Sequence, residues 1–89
     1  MLNQYCVQLT QPTDIKKLAG ADQLLIDPNT EIKEGDLCLI KTLTGNELIR
    51  KITQINDKTY YLADDKTSEI YNVADLKHIH KVTKIVFSC

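Results

Sequence analysis

Thr44-Gly45-Asn46-Glu47-Leu48-Ile49-Arg50-Lys51-Ile52-Thr53-Gln54-Ile55-Asn56-Asp57-Lys58-Thr59-Tyr60-Tyr61-Leu62-Ala63 decides the fold. Thr44 to Glu47 is a tight hairpin signal, because glycine and asparagine tolerate the positive φ of primed turns. Leu48 to Ile55 then forms a return strand, Asn56-Asp57-Lys58 a second hairpin, and Thr59 to Ala63 a run of strand formers. Two successive hairpins make an antiparallel meander.

The same reading extends toward the N-terminus. Glu34-Gly35-Asp36 is a turn signal, and Leu37-Cys38-Leu39-Ile40 is apolar at every position, as a strand buried on both faces would be. Leu24-Leu25-Ile26 is a short strand stopped by Asp27-Pro28-Asn29-Thr30, since proline lacks the ladder N–H. Tyr5 to Leu9 alternates as a strand with Tyr5, Val7 and Leu9 on one face. Asp14 to Leu18 suits a single helical turn capped by Thr13 and ended at Gly20.

Toward the C-terminus, Asp64 to Ser68 is a polar loop, Glu69 to Val73 a strand, and Asp75-Leu76-Lys77 a turn or helical stub. His78 to Phe87 is a long final strand. Ile79, Ile85 and Phe87 share one phase and Val82 and Val86 the other, which a bulge or two-sided burial would reconcile. The fold class is therefore mostly β, a small twisted sheet with a hairpin meander. Residues 1–89 read as a single domain, without internal repeat or linker.

Composition narrows the function classes. Hydrophobic content of 43% and charged content of 26% are ordinary globular values. Eleven basic residues against twelve acidic ones give a net charge of −1, with no basic excess for gripping phosphates. Direct nucleic-acid binding is not expected. No apolar run is long enough to span a bilayer, and Met1-Leu2-Asn3-Gln4 has no signal-peptide character. Cys6, Cys38 and Cys89 are odd in number and lack C-x-x-C spacing, so a cytoplasmic setting is expected and a zinc ribbon is not.

The run from Leu24 to Ile40, a hydrophobic strand entering an Asp27-Pro28 turn before Gly35-Asp36 opens the next strand, resembles the C-terminal domain of LexA-like and phage CI-type repressors. Leu48 to Ile52, Tyr60-Tyr61-Leu62 and Ile79-His80-Lys81-Val82 are similar to that family's later strands, so the likeness covers roughly residues 20 to 87 in order. It implies the LexA-type, partly closed sheet. It also implies an ancestral self-cleaving site in which a lysine activates a serine. That chemistry needs a lysine whose burial lets it give up its proton. Leu9 or Thr10 falls where the serine should stand, or Thr13 if no gap is allowed, and no serine precedes Ser68. Arg50 matches the lysine, and a guanidinium stays protonated. Lys51 is adjacent but points to the other face of a strand. The resemblance thus implies an inactive member. What remains is self-association as a homodimer or higher homo-oligomer, with no cofactor and with the DNA-binding part lying outside this chain. The alternative is a small β-barrel adaptor that binds a peptide or protein.

Other constellations have plainer readings. His78 and His80 share a strand face, but two imidazoles alone make no tight metal site; a third ligand would have to be Cys89, Asp75 or something distant. Cys6 and Cys38 are expected in the core. Asp64-Asp65-Lys66 suits a polar turn, and Asp27 and Asp36 are expected to accept turn N–H groups. Tyr60 and Tyr61 face opposite ways; one of them, with Ile40, Ile49, Val82 and Val86, is a candidate for a partner-facing surface.

Overall fold

The computed structural model describes residues 3–9 and 15–87. Its strands are β1 (Tyr5–Gln8), β2 (Gln23–Asp27), β3 (Leu37–Thr42), β4 (Glu47–Asn56), β5 (Thr59–Ala63), β6 (Ser68–Asn72) and β7 (Leu76–Val86). They form one antiparallel sheet in the order β1-β2-β7-β3-β4-β5-β6. The mostly-β expectation and the meander β3-β4-β5-β6 hold. The sheet is not closed: β1 and β6 remain edges, so neither the partly closed sheet nor a barrel is formed.

Among the described residues only short 3-10 turns accompany the strands, Lys16–Leu18 and Val73–Asp75. The first replaces the expected helical turn, and Ile15, not Thr13, occupies its N-cap without a side-chain hydrogen bond. Thr13 and Asp14 lie outside the described residues. In the β3–β4 hairpin only Gly45 has positive φ, at 93°; Asn46 does not. The Gly45 N–H donates to Thr42 O (3.0 Å) and the Thr42 N–H to Asn46 O (2.9 Å). This is the pattern of a longer loop ending in a left-handed glycine, not the primed two-residue turn.

Two apolar clusters occupy opposite faces. Ile15, Leu18, Leu24, Ile26, Leu39 and Val82 form one; Cys38, Ile40, Ile52 and Leu62 form the other. Strand β3 serves both, Leu39 pointing one way and Cys38 and Ile40 the other, as its unbroken apolar run requires. Ile40 is fully buried and Val82 nearly so, which removes both from any partner-facing surface. Cys6 is exposed, because alternation in β1 turns Tyr5 and Val7 toward the first cluster and Cys6 away from it.

Strand β7 shows both of the expected ways of reconciling its phases, burial on two sides, with Ile79 against the second cluster and Val82 in the first, and a bulge. Val82 opposes Ile26 and Lys84 opposes Leu25, which leaves Thr83 as the extra residue. The shift returns Ile85, opposite Leu24, to the face of Val82. The Thr83 hydroxyl donates to Leu25 O (3.3 Å). An equivalent irregularity in β4 skips Thr53, whose hydroxyl donates to Tyr61 O (3.1 Å).

Candidate functional site

Strand alternation places His78 and His80 on one face of β7, and their rings stack at 4.1 Å with an interplanar angle of 6°. From the β1 edge the Tyr5 hydroxyl reaches His80 Nδ1 at 2.8 Å, its ring edge-on to the imidazole. Lys41 of β3 lies directly across from His78, and Glu47 of β4 across from Lys41. With Asn3 and Pro28 these side chains line a groove of about 390 Å³.

Both imidazoles are biased toward the neutral form. Burial lowers the pKa of His78, and Lys41 and Lys77 add to the effect against the opposing pull of Glu47. Burial and then the neighbouring His78 lower that of His80. Burial, then Glu47, raises the Tyr5 pKa, so its hydroxyl keeps its proton. His78 Nδ1 is buried without a hydrogen-bond partner. The groove therefore offers neutral imidazole nitrogens and a phenol flanked by one cation and one anion, a lining suited to polar hydrogen-bonding groups. No cluster of three or more His, Cys, Asp or Glu side chains placed to hold a metal occurs among the described residues. The spacing of the histidines in sequence revealed their shared face; their tie to Tyr5, 75 positions away, carried no local signal.

Of the residues that the LexA-like resemblance matches to a catalytic pair, Arg50 and Leu9 have structural partners. Arg50 Nε donates to Glu69 Oε1 (3.1 Å) and lies 4.0 Å from Asp64 Oδ2, while Nη1 donates to Ile49 O (2.9 Å). The Tyr71 hydroxyl donates to Glu69 Oε2 (3.2 Å). Leu9 packs against the first apolar cluster, whereas Arg50 stands opposite Cys38 of the second. Thr10 lies outside the described residues. Lys51, on the other face of β4 from Arg50, lines a separate pocket of about 280 Å³ with Ile15, Lys17, Leu37 and the Asp64-Asp65 pair.

The turn carboxylates are bound locally. Asp27 accepts the Asn29 N–H (2.9 Å) and the Thr30 hydroxyl (2.7 Å); the hydroxyl, then the N–H, lower its pKa. Asp64 Oδ1 accepts the N–H groups of Thr67 (2.7 Å) and Lys66 (2.9 Å), which lower its pKa in that order. Asp36 accepts the Lys33 N–H (2.8 Å) and pairs with Lys81 (3.6 Å). Gly35, with φ of 95°, sends its N–H to Ile52 O, and the Ile52 N–H returns to Asp36 O. The Gly-Asp turn is thereby docked on β4. Pro28 ends β2 and borders the histidine groove.

The described residues contain no helix long and apolar enough to cross a membrane. A scan against family models found no match, and comparisons with curated proteins and with solved structures found none either.

Proposed function

We propose that this domain is a non-catalytic self-association module of a LexA-like or phage-type transcriptional repressor, whose DNA-reading part is carried outside this chain. The observation that carries the reading is the open end of the sheet. Strand β6 has a neighbour on one side only, and its Ile70 is 63% exposed. An unpaired strand edge with an exposed apolar side chain is a template for another chain. The ordered Asp-Pro turn, docked Gly-Asp turn and following meander support the kinship, and Arg50, tied to Glu69, supports the loss of chemistry. Symmetric pairing through one shared patch is the commonest oligomer geometry. Sedimentation velocity across a concentration series tests the reading: a dimer is expected at high micromolar concentration, and a strict monomer there overturns it. Intact-mass analysis after alkaline incubation is expected to find the chain uncut.

The groove of Tyr5, His78 and His80 favours a second reading, an adaptor that takes a peptide or protein on this sheet face. A partner that shifts the His78 and His80 imidazole resonances and leaves β6 untouched would favour it.

A further inference from the structure

We infer that two copies of the chain pair edge to edge along β6, antiparallel, about a two-fold axis through Ile70. The inference rests on the self-association reading and adds the surface and the register.

The direction of the backbone groups comes first. The Val73 N–H donates to Lys58 O and Thr67 O accepts the Asp64 N–H, so residues 67 and 73 face inward, toward the β5 side. Alternation along the strand then turns Glu69 and Tyr71 inward as well and the N–H and C=O groups of Ser68, Ile70 and Asn72 outward. These outward groups meet no strand in the sheet order. Natural edges are usually guarded by lysine, proline or a bulge. Strand β6, Ser68-Glu69-Ile70-Tyr71-Asn72, has none of these. Its one charged side chain, Glu69, is paired with Arg50 at 3.1 Å. The opposite edge, β1, is a residue shorter and exposes no large apolar side chain among the described residues.

Symmetry then selects the register. A two-fold axis relating antiparallel edges in one continuous sheet runs perpendicular to it and keeps each face on its own side. Directly opposed residues share a face, so the axis passes through a residue and not between two. Centring on Glu69 opposes two carboxylates, which is unfavourable. Centring on Tyr71 sets Ile70 against Asn72 and uses Val73, which has already left the strand. Centring on Ile70 sets Ile70 against its own copy, Glu69 against Tyr71, and Ser68 against Asn72. Apolar meets apolar, a carboxylate meets a phenol, and small polar groups meet each other. Ile70 and its copy exchange reciprocal N–H···O bonds. An edge this short is a small interface, so the dimer is weak and concentration-dependent.

The register gives a direct test. A hydrogen-bonded antiparallel pair has its Cα atoms about 5.5 Å apart, within disulfide range. In the full chain carrying Cys6→Ser and Cys89→Ser, Ile70→Cys is expected to form a disulfide dimer under mild oxidation, and Glu69→Cys is not. Ile70→Lys, at an exposed position that leaves both apolar clusters intact, is expected to weaken dimerisation roughly tenfold or more by sedimentation velocity. A dimer that resists Ile70→Lys and gives no Ile70→Cys crosslink overturns pairing through β6 while leaving self-association standing. A chain monomeric at every concentration overturns both.

Discussion

His78 and His80 are the residues whose protonation the fold opposes most visibly. Both have pKa values lowered from the ordinary 6.5, so the unfolded chain binds more protons than the folded one as pH falls. Their contribution is intact above about pH 6.5 and is lost as acidification proceeds below it. The stacking adds to this, since two imidazolium rings 4.1 Å apart would repel. Asp27 and Asp64, with lowered pKa values, hold their contribution to lower pH and lose it as pH falls through their folded values. Denaturation midpoints measured from pH 7.5 down to 3 should therefore decline in two stages, and His78→Gln with His80→Gln should flatten the first, below about pH 6.5, while leaving the carboxylate loss below about pH 4. Thiol chemistry gives a second check at this scale. Burial, then Asp36, pushes the Cys38 thiol up to about 12, so Cys38 should resist alkylation in the native protein while exposed Cys6 reacts, as peptide mapping would report. Cys6 also shows where the sequence misleads. It sits in a strand between Tyr5 and Val7, both turned toward the first cluster, yet one step of alternation places it in solvent.

At the scale of elements, the bulge in β7 is a register device. Thr83 is the extra residue, so deleting it should relax β7 to a regular ladder that keeps Ile85 beside Leu24. The cost should be about 1 kcal/mol, the worth of the hydroxyl bond to Leu25 O. Deleting Lys81 should cost more, about 2–4 kcal/mol, because Thr83 would then take the core position of Val82. Urea titration of the pair of variants checks both values. The elements legible in the sequence were those with local causes: the glycine turn at Gly45, the alternation of Tyr5 to Leu9, the all-apolar β3, the phase break that betrayed the bulge. What the sequence withheld was which strand lies beside which. Ile40 was a candidate for an outer surface until its pairing with Ile79 of β7 placed it under the second cluster, and no residue near Ile40 in the chain encodes that neighbour.

For the whole molecule, the decisive contacts are distant ones. Strand β7 pairs with β2 on one side and β3 on the other, joining residues 76–86 to 23–27 and 37–42. Such topology pairs late and slowly, so stopped-flow refolding should run in about milliseconds to seconds, not microseconds. The candidate site shares this origin, since His78 and His80 from β7 meet Tyr5 from β1 and Lys41 from β3 only once the sheet is assembled. The histidine groove is thus a product of the completed fold and has no precursor in any single hairpin.

The central seat of β7 also sets an order of events during synthesis. A ribosome that has delivered everything through Asp75 has released the β1–β2 hairpin and the β3–β6 meander, with nothing yet to join them. Each half exposes a raw margin where its missing neighbour belongs, and each margin is a place for a chaperone or a wrong partner to bind. Only when the last strand clears the exit tunnel can it slide between the halves, like a key closing two leaves of a lock.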